Sequence, residues 1–301
     1  MKIGRYRSGD GREGVVVFTE DAAIDFSRAL EDYQLNTGIE GRNYTSIQAM
    51  LDDGVFTISF VEPVVKWVED RLSRGFDYLA LNDYRLLAPI ERPPTIYALG
   101  RNFPSHAIEH AGRISEEPIV FAKASGSVIG PEEPIIYKKF LTRVDPEAEL
   151  AVIIGRRGSN ISEEEAESFI AGYTILNDVT ARDMQSADIA VSHPWFRSKS
   201  IDTFCPMGPF VVLPDEIKEP VELNIELWVN GEIRQKDNTR NLTFKIPYII
   251  SWLSKYLTLV PGDVIATGTP EGMKPVFPGD LIEIMIEKIG VLRNPVEAES
   301  E

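Results

Sequence analysis

The chain is 301 residues long, with a formal net charge of −16, 43% hydrophobic residues and 26% charged residues. This length can hold one large domain with a smaller one, and the composition is that of a globular protein rather than a disordered one. The negative charge disfavours nucleic acid and anionic membranes as partners, because both are bound by clustered Lys and Arg. The single cysteine, Cys205, excludes an internal disulfide, and the absence of an apolar signal core or a long apolar run predicts a cytoplasmic protein without a membrane span.

Residues 1–92 are predicted to form a small mixed α+β domain. The hydrophobic pattern predicts two strands followed by two helices there: Lys2–Arg7, Gly14–Thr19, Ser46–Leu51 and Val61–Leu72. The segment from Ala88 to Pro94 contains three prolines, which lack a backbone donor and restrict the preceding residue, so it breaks both helix and sheet. We place the domain boundary there, and the second domain then spans residues 93–301.

The second region alternates short strands with few helices, which predicts an α+β fold dominated by strands. Its strand candidates are Thr95–Leu99, Ile119–Ala122, Leu150–Gly155, Ala171–Leu176, Pro209–Leu213, Leu223–Val229, Val264–Thr267 and Leu281–Ile286. Asn230 and Gly231 predict a type I′ hairpin, because both tolerate positive φ. Ser162 and Glu165 form a capping box that predicts a helix to about Phe169, and Pro247 in a first turn predicts another to about Tyr256.

Two glutamates lie two residues apart at the start of an apolar strand. Side chains alternate faces along a strand, so Glu147 and Glu149 point the same way, while Leu150 and its even-numbered neighbours face the other side. Like charges about 6–7 Å apart repel each other unless a cation lies between them. A third carboxylate follows at Asp178, and an oxygen-only ligand set favours Mg²⁺, Mn²⁺ or Ca²⁺ over Zn²⁺. On spacing alone, the glutamate pair fits either a metal site or a solvated sheet edge.

Six motifs, in order along the chain, resemble the fumarylacetoacetate hydrolase family across roughly residues 93–297. The motifs are Gly100-Arg101-Asn102-Phe103 with His106 and Glu109, Asp145-Pro146-Glu147-Ala148-Glu149, Asn177-Asp178-Val179-Thr180-Ala181-Arg182-Asp183-Met184-Gln185, Lys199-Ser200-Ile201-Asp202-Thr203-Phe204-Cys205-Pro206-Met207-Gly208-Pro209, Pro261-Gly262-Asp263-Val264-Ile265-Ala266-Thr267-Gly268-Thr269-Pro270 and Ile289-Gly290-Val291-Leu292-Arg293-Asn294-Pro295-Val296. The resemblance implies a β-rich roll of mixed sheets behind the small N-terminal domain. It also implies a homodimer.

The resemblance places a divalent ion, Mg²⁺ or Mn²⁺ with Ca²⁺ as an alternative in a crystal, on Glu147, Glu149 and Asp178. Three carboxylates would leave about half of an octahedral shell for water and substrate oxygens, as in catalytic sites. Asp145 shares the strand face of the glutamates and is interpreted as a solvated charge or as an acceptor behind the ligands. Asp183 is expected to pair with Arg182 or with another structural partner.

His106 and Glu109 are interpreted as a catalytic pair. Residues spaced three apart face each other if the segment is helical, and an imidazole oriented by a carboxylate suits general-base catalysis near neutral pH. A lone histidine in a loop is otherwise a surface residue. In the acylpyruvase members, the corresponding His-x-x-Glu segment closes over the metal and activates water. His110 and His193 match no motif position and are assigned no role.

Four further residues are expected to contact substrate. Lys199 matches a family lysine beside the metal, where a fixed cation stabilises developing negative charge. Without the resemblance, it would be interpreted as a solvated lysine. Gln185 and Thr269 match positions that hydrogen-bond the substrate. Arg101 suits a bidentate clamp on a carboxylate, with a salt bridge to a neighbouring acid as its alternative.

The functional prediction is a divalent-metal-dependent hydrolase or lyase acting on a 2-oxo acid, by acylpyruvate-type C–C hydrolysis or oxaloacetate decarboxylation. One alternative is an isomerase of the 2-hydroxyhepta-2,4-diene-1,7-dioate type in aromatic catabolism. Others are a dehydratase or hydrolase of a 2-keto-3-deoxy sugar acid and a non-enzymatic metal-binding protein. The motifs do not distinguish the enzymatic alternatives, because all of them use the same enolate chemistry.

Overall fold

The structure is a computed structural model that describes residues 1–75, 80–111 and 114–300, without the side chains of residues 109–111. The described part of the first 92 residues contains four strands and three helices: β1 (Lys2–Ser8), β2 (Glu13–Phe18), β3 (Ala23–Asp25), α1 (Phe26–Thr37), α2 (Ile47–Asp52), α3 (Ile58–Leu72) and β4 (Tyr84–Leu87). The next part, as far as the two glutamates, contains β5 (Ile96–Gly100), α4 (Pro104–Ala111), β6 (Ile119–Lys123), β7 (Val128–Ile129), β8 (Ile135–Tyr137) and β9 (Val144–Asp145).

The remaining elements are mostly strands. They are β10 (Ala148–Ile154), β11 (Ile170–Asn177), β12 (Thr180–Ala181), α5 (Arg182–Ala190), α6 (Phe196–Lys199), β13 (Cys205–Val212), β14 (Asn224–Val229), β15 (Glu232–Asn238), α7 (Ile246–Tyr256), β16 (Val264–Ala266), β17 (Leu281–Ile286) and β18 (Gly290–Ala298), with 3₁₀ turns at Ser125–Ser127, Ala166–Phe169 and Thr239–Asn241. Strands therefore dominate an α+β fold, as the sequence predicted.

Most of the strands belong to two mixed sheets. The larger has the order β3-β2-β1-β13-β11-β10-β16-β5-β6, with β4 paired to β1 and β7 paired to β13. The smaller has the order β15-β14-β17-β18-β8, and β9 pairs with β12 alone. The pairing of β1 with β13 carries the large sheet across the predicted domain boundary. The division at residue 92 itself stays a prediction.

The large sheet is covered on both faces, so its central strands appear in the sequence as continuous apolar runs. Ala148, Leu150, Val152 and Ile154 of β10 pack with the smaller sheet and α7. Ala151 and Ile153 of the same strand belong to the opposite core, which is filled by helices α1 and α3. This alternation confirms the predicted facing of β10 and leaves Glu149 on the face of Ala151.

Local turn chemistry was predicted well at one site and less well at another. Asn230 and Gly231 take positive φ of 52° and 78° between β14 and β15, which confirms the hairpin. Ser162 and Glu165 do exchange hydrogen bonds as a capping box. However, the predicted helix behind them is wrong in type, because the segment forms turns and a short 3₁₀ helix before it enters β11.

Candidate active site

Three carboxylates converge where β10 and β11 lie side by side. Glu147 precedes β10, Glu149 lies within it, and Asp178 follows the last residue of β11. The antiparallel register pairs Ala148 with Asn177, which brings the start of one strand against the end of the other. The Asp178 amide donates to the Glu147 carbonyl at 2.9 Å, so the two ligand candidates share a backbone bond.

The carboxylate cluster has the geometry of a site for a hard cation. One oxygen each from Glu147, Glu149 and Asp178 lies within 4.8 Å of the others. All three residues are at most 4% exposed. Buried carboxylates are stable only when paired with cations or protonated, and an oxygen-only set of three suits Mg²⁺ or Mn²⁺. The donor set therefore fits the predicted ion, while the ligand roles themselves stay predictions.

The carboxyl group of Glu149 is strongly perturbed. Its burial raises its pKa well above the ordinary value, and the charges of Asp178 and Glu147 raise it further. Its Oε2 accepts a hydrogen bond from the Gly268 amide at 2.7 Å, which opposes the rise. Without a metal ion, the cluster favours a proton on Glu149, because three adjacent buried carboxylates repel one another.

Lys199, the last residue of α6, supplies a cation at the cluster. Its Nζ donates to Glu147 Oε2 at 2.7 Å and to Asp178 Oδ2 at 2.5 Å. Burial lowers the pKa of Lys199, but Asp178 and Glu147 outweigh it, so the net shift is upward. Burial likewise raises the pKa of Glu147, but Lys199 and Arg182 together lower it below its ordinary value. Lys199 is thus a buried charged group rather than the solvated lysine of the alternative interpretation.

A second buried lysine, Lys123 at the end of β6, stabilises the other side of Asp178. Its Nζ donates to Asp178 Oδ1 at 2.7 Å, to the Val179 carbonyl at 3.4 Å and to the Lys199 carbonyl. An ammonium group has three donors, and here each of them has an acceptor. Lys123 therefore ties α6 to Asp178. The sequence analysis missed it because it lies in no motif with the carboxylates.

Arg182, the first residue of α5, joins the cluster to its surroundings. Its guanidinium donates to Asp145 Oδ2 at 2.8 Å, to Gln185 Oε1 at 2.7 Å and to Glu147 Oε1. Burial lowers the pKa of Arg182, but Glu147 and Asp145 raise it above its ordinary value. The sequence analysis considered Arg182 only as a partner of Asp183. In the structure it orients both Glu147 and the predicted substrate contact Gln185.

The structure decides between the alternatives for two neighbouring acids. Asp145 is fully buried and accepts hydrogen bonds from Arg143 at 3.0 Å and from Arg182. The solvated-charge alternative is therefore wrong, and the acceptor alternative holds. Asp183 accepts the Thr142 hydroxyl, which is a structural partner other than Arg182. Asp145 is buried although its charge suggests a solvated position, because it lies on β9 and pairs with Thr180 of β12.

Thr269 lies at the cavity wall in the turn after β16. Its hydroxyl accepts a hydrogen bond from Gln235 Nε2 at 2.9 Å, and the Gln235 amide also bonds the Pro270 carbonyl and the Ala148 amide. The Gly268 amide in this turn donates to Glu149 Oε2. Gln235 was not predicted as part of the site, since it comes from a strand of the smaller sheet.

His106 lies on α4. It is 7% exposed and lines the same cavity as Glu147. The helix that the pairing with Glu109 required is present over Pro104–Ala111. The Glu109 side chain lies outside the described residues, so the pairing stays a prediction. His193 is exposed, 3.9 Å from Asp188, and has no contact with the cluster among its described interactions.

Arg101 also lines the cavity. Its guanidinium carbon lies 5.7 Å from the centre of the Trp195 ring. Trp195 in turn packs on Phe121 at 5.4 Å, and Lys199 Nζ lies 5.0 Å from the Phe121 ring centre. The two aromatic rings therefore lie between the two cations.

These residues enclose a cavity of about 240 Å³. All of the predicted site residues with described side chains line it: Arg101, His106, Glu147, Glu149, Asp178, Gln185, Lys199 and Thr269. Arg182, Phe121 and Trp195 complete much of the wall. The volume is below the roughly 300–1,000 Å³ of most ligand sites, which indicates a small substrate.

Comparison with known proteins agrees with this site. A family model described as the C-terminal region of fumarylacetoacetate hydrolase matches residues 95–297. The chain belongs to the fumarylacetoacetate hydrolase family. The resemblance that the motifs indicated is thereby confirmed, together with the strand-rich α+β fold that it implied.

Relatives within the family carry out several reactions. A mitochondrial oxaloacetate tautomerase of Xenopus laevis is 40% identical over 242 residues, covering 78% of this chain and 75% of the relative. A 2-hydroxyhepta-2,4-diene-1,7-dioate isomerase of Mycobacterium marinum is 30% identical with a TM-score of 0.71, covering all of both chains. A maleylpyruvate hydrolase of Sphingobium, solved with manganese(II) and pyruvate, is 29% identical with a TM-score of 0.75, again over both whole chains.

The comparisons therefore support an enzyme of this family and leave the individual reaction open. Within the described residues, no helix combines the length and hydrophobicity that crossing a bilayer requires. The homodimer, the identity of the ion and the cytoplasmic location stay predictions.

Proposed function

We propose that this chain is a divalent-metal-dependent enzyme that interconverts the keto and enol forms of a small 2-oxo dicarboxylate, with oxaloacetate as the leading substrate. The observation that carries the proposal is the cluster of Glu147, Glu149 and Asp178 with Lys199 against it, in a cavity of about 240 Å³. The oxaloacetate tautomerase relative supports this choice of reaction over the others in the family.

The charge of the cavity favours a doubly negative substrate. Among the described side chains that line it, three are cationic and three are anionic: Arg101, Arg182, Lys199, Glu147, Glu149 and Asp178. A divalent ion would leave two positive charges in excess, which a 2-oxo dicarboxylate would balance. The local field is thus opposite in sign to the net charge of −16 of the whole chain.

Glu147, Glu149 and Asp178 would hold the ion. When bound, it would supply a Lewis acid for the carboxylate and keto oxygens of the substrate. Arg182 and Lys123 would keep Glu147 and Asp178 in place, because both ligand candidates are hydrogen-bonded to these cations.

Lys199 and His106 would carry out the proton chemistry. When the C3–H bond breaks, its electron pair forms the C2–C3 double bond and negative charge develops on the C2 oxygen. The Lys199 ammonium faces that charge, where a positioned cation lowers the barrier by several kcal/mol. The imidazole of His106 accepts the C3 proton, and the imidazolium so formed returns a proton to the C2 oxygen, which completes the enol and restores the imidazole. This sequence needs no water in the cavity.

A second candidate is C–C hydrolysis of an acylpyruvate. It is favoured by the burial of His106 on α4 beside Glu147, a position from which a histidine can activate water. The maleylpyruvate hydrolase neighbour supports it. Glu109 would orient His106 in this reaction.

The two reactions are separated by their products. We would follow the enol absorbance of oxaloacetate and the release of pyruvate from both oxaloacetate and acetylpyruvate, with Mg²⁺ or Mn²⁺ and with matched reactions lacking protein. Accelerated loss of the enol signal without pyruvate, reduced in Lys199→Met and His106→Ala, would support the tautomerase. Pyruvate release from acetylpyruvate that is faster than any enol conversion would establish the hydrolase instead.

A further inference from the structure

Arg101 is set apart from the other cations of the cavity. Lys199 and Arg182 both donate hydrogen bonds to the carboxylate cluster. The Arg101 guanidinium instead lies over the Trp195 ring, and the Phe121–Trp195 pair lies between it and Lys199. Arg101 thus offers a positive charge at a part of the cavity wall away from the ion-binding end.

The backbone around Arg101 is arranged to hold it there. Arg101 has a φ of 59°, an uncommon conformation for a residue with a side chain. The next residue, Asn102, fixes this turn, because its side chain bonds the Thr267 carbonyl at 2.8 Å and both the amide and the carbonyl of Phe244. Backbone strain that neighbouring contacts enforce is characteristic of functional sites.

Gly100 allows Trp195 to reach the wall. A Cβ atom at residue 100 would lie 2.7 Å from the Trp195 ring, closer than carbon atoms approach. The guanidinium carbon lies within cation–π distance of the ring at 5.7 Å, and a guanidinium presents its donors as a planar fork. That arrangement suits a planar, bidentate contact with a carboxylate.

We infer that Arg101, supported by Trp195, binds the distal carboxylate of the substrate and so selects 2-oxo dicarboxylates over 2-oxo monocarboxylates. The inference rests on the proposed function, since it assumes that the 2-oxo acid end of the substrate lies at the carboxylate cluster. Arg101 then supplies one of the two excess positive charges and balances the distal carboxylate, and the ion-binding end of the cavity supplies the other. Trp195 acts as a positioning residue for Arg101.

The test compares ligands with and without a distal carboxylate. Oxalate matches the 2-oxo acid end alone, whereas oxaloacetate adds the distal carboxylate. Oxalate binding is measured by calorimetry on the Mn²⁺-loaded protein, and oxaloacetate binding by displacement of oxalate, with the KM for oxaloacetate taken from enol conversion. The variants are Arg101→Met, Arg101→Lys and Trp195→Leu. The matched control is Arg71→Met, because Arg71 lies over Trp67 on α3 as a second arginine–tryptophan pair, away from the cavity.

Arg101→Met should weaken oxaloacetate binding and raise its KM by about 10- to 100-fold, the range for a lost hydrogen bond to a charged group, with oxalate affinity within about twofold. Arg101→Lys should recover part of the loss, Trp195→Leu should show a smaller loss of the same kind, and Arg71→Met should show none. Equal weakening of oxalate and oxaloacetate, or an unchanged oxaloacetate affinity in Arg101→Met, would overturn the inference. If the unchanged protein does not convert oxaloacetate, the proposed function fails, and the displacement data still decide the role of Arg101.

Discussion

The perturbed carboxyl of Glu149 makes metal binding a proton-release reaction. In the metal-free protein, burial and the charges of Asp178 and Glu147 raise its pKa well above 4.5. A divalent ion requires the carboxylate form, so each ion bound should release close to one proton at any pH below that raised pKa. Apparent affinity should then rise about tenfold per pH unit, equivalent to about 1.4 kcal/mol.

The raised pKa of Glu149 also determines how the stability of the metal-free protein changes with pH. A carboxyl whose pKa is raised on folding binds more protons in the folded state, so the metal-free protein should lose stability as pH rises above about 4.5 toward the raised pKa. The ion replaces the proton and removes this loss. The increase in melting temperature on adding Mn²⁺ should therefore grow with pH across this range.

Calorimetry in two buffers of different ionisation enthalpy measures the released protons directly. Glu149→Gln should reduce the release to near zero and weaken binding, because the amide holds no titratable proton. Glu226→Gln is the matched control, since Glu226 is a largely buried glutamate paired with Lys236 outside the site. A release below about 0.2 proton per ion in the unchanged protein, with affinity independent of pH, would refute the reasoning.

Substitutions at three further positions test the buried hydrogen bonds that support the site. Lys123→Met leaves Asp178 with one cation and should lower the free energy of unfolding by about 3–5 kcal/mol in urea titration, and a loss below about 1 kcal/mol would contradict its placement. Arg182→Met should lower the free energy of unfolding by a similar amount, because Asp145 and Glu147 lose a buried partner. Arg182→Lys should lower it less, and equal losses in the two variants would argue against the forked contact. Asn102→Ala removes three side-chain hydrogen bonds and should speed amide hydrogen exchange in α4 by at least tenfold, and unchanged exchange would count against its role as an anchor.

The strand pattern predicted how the two glutamates are oriented because that geometry is local. Period-two alternation puts Glu149 on the face of β10 opposite Leu150, and the two packed faces of β10 confirm it. The Asn230–Gly231 turn was also readable, since two residues with positive φ determine the hairpin. The motif resemblance then supplied Asp178 and Lys199, which no local rule would have joined to β10.

The supporting residues were missed because sheet pairing is not local. Lys123 reaches Asp178 across 55 positions of sequence, and Gln235 reaches Thr269 across 34. Arg182 adjoins Asp183 in sequence, but the helix start turns its side chain toward Asp145 and Glu147. Such contacts form where the two side chains are buried together, and that burial depends on how strands distant in sequence pack against each other.

The measurement that tests the central claim most directly is oxaloacetate enol conversion by metal-stripped protein, before and after adding Mg²⁺ or Mn²⁺. The account predicts no conversion above the rate of the ion in buffer before the addition, and full recovery after it. Asp178→Asn, which keeps the shape of the side chain but removes its charge, should not recover. Conversion that persists after metal removal, or an Asp178→Asn protein as active as the unchanged one, would contradict the account.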